Sequence, residues 1–153
     1  MTFRFFSNAF PEGGQIPETY TCQGADVSPA LEWQGEPSGT LSFSLVVEDP
    51  DAPVGIWTHW LLYDIQPNLH QLSQGFKPAS KLGLSGTNDF GRQGYGGPCP
   101  PRGHGPHRYF FRLYALDVHT LGLPAGVKRA ELLEALKGHV LAEAQTMGRF
   151  ERR

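Results

Sequence analysis

The chain has 153 residues, 39% of them hydrophobic and 12% aromatic, with 13 basic and 15 acidic side chains and a net charge of -2. That is the size and balance of one soluble domain with enough large apolar groups for a core, and it offers no global field to attract nucleic acid or an anionic membrane. No apolar run approaches the about 18 residues a membrane span needs, and Met1–Phe10 lacks the apolar stretch of a secretory leader, so residues 1–153 are expected to form a single cytoplasmic domain.

In chain order, the first strong pattern is Leu41–Glu48, where Leu41, Phe43, Leu45 and Val47 alternate with Ser42, Ser44, Val46 and Glu48, predicting a strand with one better-buried face. Ile56–Ile65 is apolar on both rows and rich in Trp, Ile, Thr and Tyr, as a strand covered on both faces is. Tyr109–Leu116 has the same character, and these segments form the expected centre of the sheet. Lys128–Lys137 places Leu132, Leu133 and Leu136 at helical spacing ahead of Gly138, predicting one helix, and Val140–Arg149 alternates as a last strand. One helix against several strands gives a mainly β class rather than alternating βαβ units.

The polar chemistry is concentrated where the backbone-shaping residues are. Of the 25 positions from Asn88 to Arg112, ten are Gly or Pro, and Arg92, Arg102, Arg108 and Arg112 face only Asp89, so a basic loop sits on an otherwise acidic chain. Such a loop lets backbone N–H groups approach an anion; it serves equally well as a surface loop whose glycines satisfy turns. His107 and Tyr109 end the loop two residues apart on a strand, so they share a face, and His59 lies inside another core strand. The run Asp49-Pro50-Asp51-Ala52-Pro53 follows the first strand and reads as a turn that carries two carboxylates toward these histidines.

Cys22 and Cys99 are the two cysteines. Their 77-residue separation leaves open one long-loop disulfide, which a cytoplasmic protein disfavours, and Cys99 reads as a spectator rather than a nucleophile. His104 and His107, with His59 or Asp49, are weighed as a metal site and set aside, since a His-x-x-His pair in a Gly/Pro loop has no helical register to bring its rings together.

At these residues the chain resembles a known family. Asp49-Pro50-Asp51-Ala52-Pro53, Trp57-Thr58-His59-Trp60, the segment Gly94–Gly103 and Pro106-His107-Arg108-Tyr109, with Ser28–Trp33 upstream, are similar in order and spacing to the phosphatidylethanolamine-binding protein family, also called Raf kinase inhibitor-like proteins. The resemblance implies a large central antiparallel sheet stacked with a smaller sheet, one or two peripheral helices, and a surface cavity for phosphate, phosphoethanolamine head groups and related anions. Carried over, the cavity residues are Asp49, His59, Gly97, Pro100, His107 and Tyr109. The histidines, Tyr109 and loop N–H groups donate to the anion, Asp49 orients His59, and Asp51 holds the turn.

The short link Val54-Gly55-Ile56 resembles the bacterial and archaeal branch, and the chain ends at Arg153 without the C-terminal helix of mammalian members, so kinase inhibition does not carry over directly. Nor does the sequence supply a hydrophobic slot for acyl chains. The favoured function is a small-anion-binding module without cofactor or metal, acting on a phosphorylated ligand or on a kinase or protease partner, with a homodimer as a family-level expectation. The alternative is a hydrolase of phosphate or acyl esters using the same pocket; no Gly-x-Ser-x-Gly elbow or Walker loop supports it.

Overall fold

The computed structural model describes residues 2–78 and 82–153. The segments read as strands from the sequence become the long strands: β3 (Ser42–Asp49), β4 (Trp57–Ile65) and β7 (His107–Leu116) lie side by side, and β8 (Val140–Phe150) closes the far edge along β7. With β6 (Leu84–Ser85) beyond β4, the five-stranded order is β6-β4-β3-β7-β8, antiparallel throughout. β1 (Arg4–Phe6), β2 (Leu31–Gln34) and β5 (Gln71–Leu72) pair antiparallel in a second sheet. Helix α1 (Arg129–Leu136) precedes β8, and Glu18–Tyr20 forms a single 3-10 turn. The Glu131 carboxylate accepts the Lys128 N–H to start α1.

β3 is buried on both of its faces, not on one. Phe43, Leu45 and Val47 point into the space between the sheets, meeting Trp60, Leu62, Phe111 and Leu113 of the large sheet and Phe5, Leu31, Trp33 and Leu72 of the small one. Val46 points the other way, onto Leu132 and Leu136 of α1, together with Leu61 and Tyr63. The polar residues on that second face are each satisfied, Ser42 Oγ donating to the Val118 carbonyl and Ser44 Oγ to that of Leu62. Burial of the second face therefore depends on partners distant in sequence, which alternation along β3 does not encode.

A β-bulge fixes what β4 presents. Val47 pairs with Trp60 and the next residue, Glu48, with Thr58, so His59 is the extra residue. Because of it, two consecutive side chains serve the same side of the sheet, Trp60 in the core between the sheets and His59 at its rim. A regular strand would turn one of them to the helix side. The antiparallel pairing then gathers the end of β3 and the starts of β4 and β7 at one end of the sheet.

Candidate functional site

At that end lies a cavity of about 240 Å³ lined by Asp49 from β3, Trp57 and His59 from β4, His107 and Tyr109 from β7, and Cys99, Pro100 and Pro101 from the glycine-rich segment. Ala52, Pro53, Val54 and Phe90 complete a wall that is apolar around its polar floor, with Val54 and Phe90 exposed at 78% and 38%. The pocket thus has apolar groups at its mouth that the sequence reading did not provide for.

Asp49 is buried and spends both oxygens on protein: Oδ1 accepts the Asp51 N–H at 2.7 Å, and Oδ2 accepts from His107 Nδ1 at 2.6 Å. The expectation that Asp49 orients His59 is corrected, since its ring partner is His107, which stands beside it across the β3–β7 pairing. Asp51 likewise does not hold the turn; that is the work of Asp49 Oδ1. Asp51 instead pins the start of β7, accepting from Arg108 Nε, Nη2 and backbone N–H at 2.8–2.9 Å. The Arg108 guanidinium hydrogen-bonded to it holds the Asp51 carboxyl at about 2, below the ordinary range.

His59 is held from the loop side. Its Nδ1 lies 2.6 Å from the Gly96 carbonyl, and the Gly96 N–H donates back to the His59 carbonyl at 2.9 Å. Since a carbonyl only accepts, the His59 Nδ1 carries the proton, and the neutral ring presents its Nε2 lone pair. Burial pushes the His59 pKa down, favouring that neutral form. On His107 it is the Nδ1 proton that is donated to the Asp49 carboxylate. Tyr109 lies edge-on to His59, ring centroids 5.2 Å apart. Its hydroxyl is buried without a hydrogen-bond partner among the described residues, and burial, with Asp49 second, pushes its pKa up so that it stays a donor.

The glycine-rich loop spends the N–H groups of three of its glycines on protein rather than on the cavity. The N–H groups of Gly94 and Gly96 go to the carbonyls of Gly86 and His59, and the Gly97 N–H donates to Asp26 Oδ1 at 2.8 Å. Gly97 does not line the cavity; a Cβ there would collide with the Tyr20 carbonyl, so glycine serves the close packing of the loop on residues 20–26. Pro100 does line it, held by Arg152 Nε donating to its carbonyl at 2.7 Å.

Cys22 and Cys99 are joined by a disulfide, with Cα atoms 5.4 Å apart. The sequence reading disfavours this bond in a cytoplasmic protein; the fold brings the two residues together because the Cys22 N–H donates to the Pro98 carbonyl. Cys99 is accordingly no nucleophile in this state. The rings of His104 and His107 do converge, Nδ1 of the first lying 2.6 Å from Nε2 of the second. Loop geometry achieves what helical register was thought necessary for, and the result is a hydrogen-bonded pair. Among the described residues no cluster of three or more His, Cys, Asp or Glu side chains is arranged to hold a metal.

Comparisons with known proteins bear on the family and the fold. The model of the family described as phosphatidylethanolamine-binding protein matches residues 6–151. A UPF0098 protein of Aquifex aeolicus is 48% identical over 149 residues, covering 96% of this chain and 87% of the relative. One from Methanothermobacter thermautotrophicus is 46% identical, covering 95% of this chain and 97% of its own. Among solved structures, a phosphatidylethanolamine-binding protein homologue from Chlamydia trachomatis superposes with a TM-score of 0.90 at 40% identity, covering 99% of both chains. Escherichia coli YbcL, described as a member of the mammalian family, gives 0.92 at 31%, covering both chains completely.

Proposed function

The chain belongs to the phosphatidylethanolamine-binding protein family, in its bacterial and archaeal branch, and from its pocket we propose that it binds a small phosphate- or carboxylate-bearing anion between His59, His107 and Tyr109. The observation that carries this reading is the Tyr109 hydroxyl, a buried donor at the cavity with no acceptor among the described residues. Leaving such a donor unpaired costs about 1–3 kcal/mol, which a ligand oxygen recovers. The apolar mouth suits an ester whose organic part rests against Val54 and Phe90 while the anion reaches the floor.

Binding brings a proton with it. The bare Nε2 of neutral His59 meets a ligand oxygen with a lone pair, so the pocket takes a proton onto one of its histidines when the anion enters. The ligand arrives as a free small molecule or as a phosphorylated group on a partner protein such as a kinase; the pocket chemistry is the same. The hydrolase reading loses ground, because the disulfide ties up Cys99, its only candidate nucleophile.

Soaking or titration with phosphate or phosphoethanolamine tests the proposal. An anion is expected within hydrogen-bond distance of His107 and Tyr109, and His107→Ala is expected to weaken binding about tenfold or more while unfolding stays cooperative. A pocket that stays empty at saturating phosphate refutes it.

A further inference from the structure

His104 sits outside the set of residues that line the cavity, yet it makes the closest contact available to the buried ring of His107. The His107 and Asp49 side chains are 2% and 4% exposed, whereas His104 is exposed on the loop surface. The two rings lie edge to face with centroids 4.8 Å apart and share one proton between His104 Nδ1 and His107 Nε2. Building on the anion-binding reading, we propose that His104 is a positioning residue that delivers a proton to His107 and holds it there when the pocket is filled, biasing the site toward dianions.

The chemistry follows from the tautomers. In the empty pocket Asp49 fixes the His107 proton on Nδ1, so Nε2 is bare and His104 donates to it from Nδ1, leaving the His104 Nε2 lone pair to solvent. When an anion enters, a solvent proton adds to His104 Nε2 and the Nδ1 proton passes to His107 Nε2. His104 ends as the neutral Nε2–H tautomer, and His107 ends as an imidazolium that donates to Asp49 from Nδ1 and shares its Nε2–H between His104 Nδ1 and the anion. One proton is taken up and no bond is left unbalanced. A buried imidazolium needs an acceptor at each nitrogen, and this pair of partners provides both.

Other charges near His107 are already committed. Asp51 is held by Arg108, Arg102 donates to the Arg153 carbonyl and Arg152 to that of Pro100, while His59 is tied to Gly96. The His104–His107 pair is therefore the group left to answer a change in ligand charge. A second negative charge on the ligand adds Coulomb attraction to the new imidazolium, so a dianion gains more from the relay than a monoanion.

Sulfate, a dianion that does not titrate in the neutral range, and dimethyl phosphate, a monoanion, distinguish the roles by calorimetry in two buffers of different protonation heat. The wild-type chain is expected to take up about one proton per sulfate. His104→Ala is expected to bind sulfate about tenfold more weakly at about pH 7, with reduced proton uptake and a flattened pH profile, and to bind dimethyl phosphate nearly as before. His104→Gln, whose side-chain carbonyl can accept from His107 Nε2, is expected to recover part of the sulfate affinity. Wild-type sulfate affinity and pH profile in His104→Ala, with thermal unfolding unchanged, overturn the role of His104 and leave the anion pocket standing. If the wild-type chain binds neither anion, the pocket reading falls and the role of His104 with it.

Discussion

Glu48 and Asp49 are adjacent carboxylates at the end of one strand, and they face opposite sides of the sheet into different chemistry. Glu48, on the helix side, is 5% exposed and accepts from Arg112 Nε at 3.0 Å and Arg129 Nη2 at 2.9 Å, tying β3 to β7 and to α1. Asp49, on the pocket side, accepts from a histidine. Guanidinium groups stay charged at any physiological pH, so the first site is fixed, whereas the second pairs its carboxylate with an imidazole, a titratable side chain. The contrast shows how one strand delivers structure to one face and response to the other, through the titratability of the partner alone.

The sharpest way to break the comparison is to remove the fixed side. Glu48→Ala takes the buried carboxylate from two part-buried arginines, leaving Arg112 only Gln145 and Glu143 at the surface, and a loss of about 4 kcal/mol in urea-unfolding stability is expected, with sulfate binding by the surviving folded chain unaltered. A comparable loss of anion binding would mean that the two faces are coupled. Next in size is the disulfide, which staples the pocket wall alone. Cys22→Ser with Cys99→Ser is expected to cost about 3 kcal/mol, chiefly through the freer unfolded chain, and to weaken anion binding because Cys99 and Pro100 form that wall.

Much of this contrast can be read in the residues, and what cannot has a physical reason. The long strands declare themselves by alternation, in β3 and β8, or by runs apolar on both rows, in β4 and β7, and the family motifs place Asp49, His59, His107 and Tyr109 in one pocket. The small sheet is built from segments of two to four residues, too short for any period to show. The bulge at His59 is a property of pairing between strands, so no pattern within β4 reveals it. The choice of His107 rather than His59 as the partner of Asp49 depends on how separate strands come together, and the meeting of His104 with His107 on how the loop before β7 folds back. Gly97 misled for a related cause: a glycine needed for close packing and one needed for ligand approach look identical in sequence.

Titration sharpens the pocket side further. Burial lowers the pKa of His59 below the 6.5 of an unfolded chain, so the folded state binds fewer protons than the unfolded one as the medium acidifies. Its contribution to stability is complete above that value and is lost as pH falls from it toward the folded pKa. Sulfate should oppose the loss by binding the protonated pocket, so its stabilising shift in melting temperature is expected to grow as pH falls through about 6.5. An equal shift at acid and alkaline pH would disconnect anion binding from the histidines.

Tyr109→Phe is the smallest change and the most discriminating. The hydroxyl is buried with no partner among the described residues, so deleting it removes an uncompensated desolvation cost and leaves the ring contacts with His59 and His107 in place. Stability of the empty protein is expected to stay within about 1 kcal/mol of wild type, on the stabilising side. Anion affinity should move the other way, falling about tenfold, because the substitution takes away a donor that only a ligand can satisfy. Structural hydrogen bonds do not behave so, since removing a donor from one destabilises the fold. If Tyr109→Phe lowered stability and spared binding, the hydroxyl would have a partner within the protein, and the two carboxylates at the end of β3 would both be serving structure.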